Sequence, residues 1–460
     1  MYDKNVFTTI EHIRIKVFID NENFFLYNAS IMNTNNTQNL SLDRLNTVLL
    51  DQYEAFSNLD LGTPREVLSD ILEGLKSNKI LVITGLRRVG KSTLLAQIAR
   101  THLANNFYFI NFEDERLLTL TVDQFDRVHE ALIGLFGERK IFLFDEIQNV
   151  PEWERFVRRL HDQGFQFIIT GSNSSLLGEE LGTKLTGRSL RFELFPFSFE
   201  EYLRFNNVKL PDISGLTTRN KGSLLQQSRK YITNGGIPDA LKYPQLDILK
   251  SLYDDVIYRD IAARYNIDNV KSLQELTFYL VSNPASEISF NKLKTNLKLG
   301  SGNTVKKYIS YLENAWLFFT INKYAFSVKE QQIAAKKVYG IDTGLLSSVG
   351  FSFSENTGKL MENLVFLQLR RKYKDIYYYK TKGNHEVDFY IPSQRLAIQV
   401  SQDLSNFDTK DRELRSLAEL SNELNKKHQL QIITLADKEN STVDKKAVEI
   451  IPLYEWLLQT

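Results

Sequence analysis

The chain has 460 residues, 42% of them hydrophobic and 25% charged, which is enough for two to four domains with full cores. Its 57 basic and 56 acidic residues leave a net charge of +1, so no global field draws it to nucleic acid or membrane, and any basic surface must be local. The absence of cysteine excludes disulfides, zinc–cysteine sites and thiol nucleophiles and suits a reducing cytoplasm; the six histidines show no metal-ligand spacing, and no apolar run is long enough to span a membrane.

Residues 1–31 alternate short apolar groups with charges and read as strands; Asp3, Glu11 and Arg14 are wrong for a signal peptide. The Asn/Thr-rich stretch 32–41 reads as a linker, and Met32 at its start is a second candidate translation start. Residues 42–60 predict a helix. Pro64 is expected to open another, with Leu68, Ile71, Leu72 and Leu75 on one face.

From 79 to 196 apolar strand runs alternate with helical patterns: 79–84, 107–112, 140–146, 165–172 and 189–196. Such runs are buried on both faces, as in a parallel sheet covered by helices. Residues 204–283 read as helical, with a loop over 206–222 and a break at NGGIP (234–238). Residues 284–325 predict two or three short helices and a wing-like hairpin, and a mixed α/β pattern follows from 337.

The first strand runs into Gly85-Leu-Arg-Arg-Val-Gly-Lys-Ser92, the pattern G-x-x-x-x-G-K-S, and a helical pattern follows. That context marks a phosphate-binding loop. Gly85 and Gly90 let the loop amides, Val89 among them, face phosphate oxygens, and the start of the helix expected over 92–103, with Thr93 in its first turn, adds positive potential. Lys91 is expected to reach the β- and γ-phosphates of ATP, and Ser92 to ligate Mg²⁺. The third strand ends in Asp145-Glu146: Asp145 for the metal and Glu146 to polarise the attacking water. If the fourth strand lies between the first and third, Ser172 and Asn173 come near the γ-phosphate as polar sensors; otherwise they form a plain turn. Arg188 reaches the γ-phosphate in cis, acts in a neighbouring subunit, or forms a structural ion pair. Arg87 and Arg88, inside the loop, stay unassigned.

With these residues in view, the chain resembles the bacterial and archaeal AAA-type ATP-binding proteins that join a P-loop core to a winged-helix segment and a C-terminal nuclease-like domain. The matching stretches include ITGLRRVGKSTLL, FLFDEIQNVPEWE, YITNGGIPDAL, KKVYGIDTGLL and GKLMENLVFLQLRR, in that order along the chain. The resemblance implies ATP binding and hydrolysis but supplies no pathway. The expected class is α/β: an unassigned extension (1–62), a P-loop core with a five-stranded, doubly wound parallel sheet (63–203), a helical lid (204–283), a winged-helix segment (284–340) and a mixed α/β nuclease-like domain (341–460).

In the winged-helix segment Ser301 or Asn303 is expected to cap the second helix, with Val305, Ile309 and Leu312 inward. Lys292, Lys294, Lys298, Lys306 and Lys307, with no acid among them, offer a DNA phosphate-contacting face or the solvated side of a packing module. The C-terminal resemblance is to the PD-(D/E)XK nuclease fold, whose carboxylates hold Mg²⁺ and whose lysine activates water. Glu362 and Asp388 match two acids, but Gln399 and Ser401 stand where acid and lysine belong. The domain is therefore expected not to cut DNA, or to cut poorly, with a displaced lysine such as Lys380 or Lys382 as the alternative. Together these features predict a cytoplasmic Mg²⁺-dependent ATPase, with ATP, DNA, a protein partner and further copies of the chain as partners. A nucleotide-gated DNA-binding or regulatory protein and an ATP-dependent nuclease are the alternatives.

Overall fold

The computed structural model describes residues 41–174, 184–185, 187–212, 215–351 and 357–459. The expected N-terminal strands, Met32 and linker residues 32–40 lie outside them. The first helix, α1 (Leu42–Ser57), starts where the Ser41 hydroxyl accepts the Arg44 amide. Its Leu45, Val48, Leu49, Gln52 and Phe56 form the buried stripe, and Phe56 stacks on Phe109 of the neighbouring strand at 3.8 Å. Helix α2 (Leu68–Leu75) is shorter than expected, and Pro64 does not open it. Arg65 is drawn inward to the carbonyls of Val89 and Phe195 and to Glu201, so the chain becomes helical only after it.

The five predicted strands form β1 (Ile80–Thr84), β2 (Phe107–Asn111), β3 (Ile141–Asp145), β4 (Gln166–Gly171) and β5 (Ser189–Glu193). They make an all-parallel sheet in the order β2-β3-β4-β1-β5. The crossovers include α3 (Lys91–His102), α4 (Phe125–Phe136) and α5 (Glu154–Asp162), as a doubly wound sheet requires. Because β4 is inserted between β1 and β3, the C-terminal ends of these strands open on one crevice, where α/β proteins bind ligands.

Helices Thr218–Asn234, Pro238–Lys242, Ile248–Asp255 and Val270–Ser282 follow, so the expected loop ends at Thr217 rather than 222. Ile248–Asp255 continues without a break as a π-helix, Val256–Ala263. The next segment holds β6 (Ser286–Ile288), helices Phe290–Asn296 and Gly302–Asn314, β7 (Phe318–Lys323), helix Val328–Ile333 and β8 (Lys336–Gly340). Ser301 caps the second of these helices, and Val305, Ile309 and Leu312 are buried.

The expected hairpin extends beyond 325 and does not stand free. Through β7 and β9 (Tyr377–Lys380), which pair in parallel, it joins β10 (Glu386–Ile391), β11 (Leu396–Val400), β12 (Gln429–Thr434), β13 (Glu439–Val443) and β14 (Lys446–Pro452). The result is one nine-stranded mixed sheet that runs across the expected boundary at 340. Aromatic rings link the two sheets: Phe195 of the first region meets Trp316 at 6.2 Å and Phe319 of β7 at 6.1 Å, and Phe319 in turn meets Phe366 of helix Thr357–Lys372 at 5.6 Å. Arg370 of that helix pairs with Glu193 at the end of β5.

Candidate nucleotide site

The loop 85–90 leaves β1 at the crevice. A Cβ on Gly85 would stand 2.2 Å from the Leu194 carbonyl oxygen, so only glycine lets the loop pass β5 this closely. Gly90 has φ +95° and caps α3, a turn that glycine makes without strain. Arg88 is also left-handed, at φ +64°. The buried Arg65 guanidinium, absent from the expected site, fixes the loop from behind: Nη1 donates to the Val89 carbonyl at 2.7 Å. A basic residue between Pro64 and Glu66, just before a helix, is a weak signal, and no motif marks it.

Ser92 Oγ donates to Asp145 Oδ2 at 2.6 Å, and the Thr170 hydroxyl donates to the other carboxylate oxygen. Glu146 adopts φ +52°, ψ +43°, a conformation that costs a non-glycine residue roughly 1–3 kcal/mol and is often kept at functional sites. Its Oε1 lies 3.1 Å from Lys91 Nζ, and its Oε2 accepts Gln148 Nε2 at 2.6 Å and the Ser172 amide at 3.1 Å. Burial, then the charge of Glu146, raises Asp145 to about 6, against the Ser92 and Thr170 hydroxyls and Lys91. Burial is the largest influence on Glu146 and would raise it as well, but the Lys91 charge, the hydrogen bonds from Gln148 and Lys91, and the Arg87 charge together outweigh it and hold Glu146 low.

The strand order therefore brings Gly85, Val89, Gly90, Lys91, Ser92, Thr93, Asp145, Glu146, Ser172 and Asn173 to one crevice. A cavity of about 270 Å³ lies over Lys91, Ser92, Asp145 and Glu146, with Arg87 and Arg88 at its rim. A second, of about 330 Å³, shares Gly90, Thr93 and Asp239 with the first and is lined by Leu59, Phe197 and Phe205. The Ser92 hydroxyl and Asp145 carboxylate are oxygen donors of the kind a hard divalent cation takes, and their closeness fits Mg²⁺.

Arg188 corrects an expectation. It directly precedes β5, and its carbonyl accepts the Ile80 amide at the start of β1. The five residues of β1 then separate it from the loop, about 17 Å at the rise of a strand. Its Nε instead donates to Asp162 at 3.0 Å, so it does not reach the crevice in cis.

The five expected DNA-facing lysines, 292, 294, 298, 306 and 307, are all exposed. In the second sheet Glu362 and Asp388 do meet, but around Lys337 of β8 rather than Lys380 or Lys382. Lys337 Nζ lies 2.8 Å from Glu362, 2.6 Å from Glu386 and 3.1 Å from Asp388. Lys380 is taken up by Glu287, and Lys382 is exposed. Gln399 accepts the Asp388 amide at 2.7 Å, while the Ser401 hydroxyl turns to the Asp403 carbonyl.

Residues 77–203 match the AAA domain family, residues 225–356 the domain of unknown function DUF8612, and residues 357–456 the domain of unknown function DUF4143. The uncharacterized protein MJ1544 of Methanocaldococcus jannaschii is 37% identical over 420 residues, covering 87% of this chain and 93% of that protein. An uncharacterized protein of Haemophilus influenzae is 28% identical, covering 85% of this chain and 97% of its own length. Among solved structures, the Aeropyrum pernix ORC1 protein in complex with DNA has 14% identity and a TM-score of 0.32, covering 66% of this chain and 95% of its own. Cdc6p from Pyrobaculum aerophilum has 14% identity and a TM-score of 0.27, covering 68% and 98%.

Proposed function

Since the chain belongs to the same family as MJ1544 of Methanocaldococcus jannaschii, and carries an AAA domain, we propose that it is a Mg²⁺-dependent ATP hydrolase. One observation carries this reading: the Ser92 hydroxyl and Asp145 carboxylate meet 2.6 Å apart beneath a cavity of about 270 Å³ that Lys91 also lines, with Glu146 beside them. The loop amides and Lys91 bind the phosphates, and the adjoining apolar cavity receives the base. Ser92 and Asp145 would hold Mg²⁺, which when bound would neutralise phosphate charge. Glu146 takes the proton of the attacking water. That water's oxygen bonds to the γ-phosphorus, and the bond to the β-phosphate oxygen breaks, its electron pair leaving with ADP. Ser172 orients Glu146 through its amide. Phosphate release by the wild type against Lys91→Ala tests the reading, which fails if the two rates are equal.

A second reading concerns DNA. The lysines at 306 and 307 ride on helix Gly302–Asn314, whose C-terminal end touches the sensor loop: Ser174 Oγ lies 3.1 Å from Asn314 Oδ1. Its Tyr311 stacks on Tyr265, just beyond the π-helix, at 3.7 Å. A face of exposed lysines seated against both elements suits a nucleotide-dependent, weakly specific phosphate contact. DNA affinity that falls steeply with salt, and falls further in Lys306→Ala/Lys307→Ala, supports it; a salt-independent affinity removes it.

The nuclease-like region is read as a platform rather than a cutter: Gln399 stands where an acid belongs, and the Lys337 ammonium, although a lysine displaced to the acids, lies between Glu362, Glu386 and Asp388 where it takes the place of a metal ion rather than serving one. Metal-dependent nicking of plasmid DNA that Asp388→Ala abolishes would overturn this.

A further inference from the structure

Three cations line the phosphate cavity: Arg87, Arg88 and Lys91. Each is held by a carboxylate. Lys91 faces Glu146, within the site. The other two reach out of it, to the helix that begins at Ile248. Arg87 Nη2 lies 3.3 Å from Asp260 Oδ1 and its Nη1 2.6 Å from Glu113, while Arg88 Nη2 lies 3.0 Å from Asp255. The Asp260 carboxylate is only 7% exposed and faces the loop.

The π-geometry of this helix is what lets both acids face the loop. Residues five apart on an α-helix diverge by about 140°, whereas the i to i+5 repeat of a π-turn brings them onto one side. Asp255 and Asp260 are separated by that interval, at the start and within the π-helix 256–263.

A terminal phosphate adds charge beyond that of a diphosphate, and Arg188 is at the other edge of the sheet and cannot meet it in cis. Arg87 is a planar five-donor group at the cavity rim, and its bonds to Asp260, at 3.3 and 3.4 Å, are long. We propose that Arg87 is the terminal-phosphate arginine of this site, acting in cis, and that Asp260 is the carboxylate it leaves when a nucleoside triphosphate binds. This rests on the hydrolase reading and adds a regulation to it. Phosphate and lid helix compete for one guanidinium, so a triphosphate loosens the lid helix and a diphosphate leaves it latched. The neighbouring Arg88–Asp255 pair loses its support when the first lets go. Tyr265, stacked on Tyr311, carries the change to the helix bearing Lys306 and Lys307.

The latch also lowers triphosphate affinity, because only the released fraction binds. The test measures equilibrium binding of the non-hydrolysable analogue AMP-PNP and of ADP, each with Mg²⁺, to the wild type, Arg87→Ala, Asp260→Asn and Glu113→Gln. Asp260→Asn should tighten AMP-PNP about tenfold and leave ADP unchanged; Arg87→Ala should weaken AMP-PNP about tenfold, leave ADP unchanged, and slow phosphate release by about 10³. Glu113→Gln releases the same guanidinium from outside the helix and should shift AMP-PNP in the same direction as Asp260→Asn. Amide exchange over 248–263 should be faster with AMP-PNP than with ADP in the wild type, and equal in Arg87→Ala. Equal shifts for both nucleotides, or exchange that ignores the nucleotide, would overturn the proposal. Wild type that shows the binding and exchange pattern but releases no phosphate defeats the hydrolase reading alone. Wild type that turns over ATP while Arg87→Ala matches it in rate and affinity defeats the Arg87 assignment alone.

Discussion

Lys91 Nζ and Glu146 Oε1 lie 3.1 Å apart, so the loop's cation and the candidate base neutralise each other in the structure. Phosphates that claim Lys91 free the Glu146 carboxylate to face water, and the Lys91 charge is the largest of the interactions that keep that carboxylate ionised against burial, ahead of Gln148 and Arg87. Glu146→Gln therefore leaves nucleotide binding intact or tighter, since Lys91 no longer has to leave a charged partner. Hydrolysis falls by about 10²–10⁴, the usual worth of a general base. Phosphate release beside a nucleotide titration checks this. A variant that binds and hydrolyses at wild-type rate removes Glu146 from the role.

Much of this crevice was legible in the sequence. The runs ending at Thr84, Asp145 and Gly171 are apolar on both faces, which only a covered parallel sheet demands, and their ends carry the polar groups. What pattern alone could not supply was order across the sheet: Ser172 reaches Glu146 because β4 lies beside β3. Of the roles open to Arg188, the structure shows the ion pair and not the contact in cis for a related reason, since a residue preceding a parallel strand belongs to the edge away from the loop that follows its neighbour. Lys337 was missed because its partners lie 25, 49 and 51 positions further along the chain, on a helix and a strand that only the tertiary fold brings to it. In its strand it follows a second lysine, Lys336, and precedes Val338 and Tyr339, so no local pattern sets it apart.

Asp342 joins two stretches far apart in the chain. Its Oδ2 accepts the Gly236 amide at 2.6 Å and its Oδ1 the Leu345 amide at 2.9 Å, so the NGGIP break is a receptor for this carboxylate. A Cβ on Gly236 would stand 2.5 Å from the Phe197 carbonyl oxygen. Asp342→Ala orphans buried amides and should cost about 2–3 kcal/mol; Gly236→Ala forces backbone apart and should cost about 3 kcal/mol. Urea unfolding midpoints measure both. An unchanged midpoint in Gly236→Ala would show that this junction yields without strain.

Lys337 balances Glu362, Glu386 and Asp388 where almost no water reaches it, with its side chain 3% exposed. Replacing it with methionine keeps the volume and strands three carboxylates. Breaking a buried ion pair from one side typically costs about 3–5 kcal/mol. Lys337→Met should lose that much in urea unfolding, and Lys337→Met/Glu362→Gln should recover part of it by removing one stranded charge. A double variant no better than the single would show that the loss comes from packing and not from charge.

His129 of α4 sits among the rings of Tyr108, Phe142, Phe156 and Phe165, with centroids 5.3–6.4 Å away. Its Nε2 is buried without a hydrogen-bond partner. Burial lowers its pKa from the usual 6.5; Asp126 and Glu130 pull the other way, and Arg159 adds to the lowering. A histidine lowered in the fold is neutral there while the unfolded chain takes up a proton, so its contribution to stability is present above pH 6.5 and declines as pH falls through and below that value. Unfolding midpoints taken at about pH 7.5, 6.5 and 5.5 should therefore fall more steeply in the wild type than in His129→Phe, which keeps an aromatic ring and cannot titrate. The two proteins should differ least in slope above pH 7, where both are neutral at this position. Parallel curves across the whole range would mean that His129 accepts its proton as readily in the fold as out of it, and that the aromatic shell around it admits water.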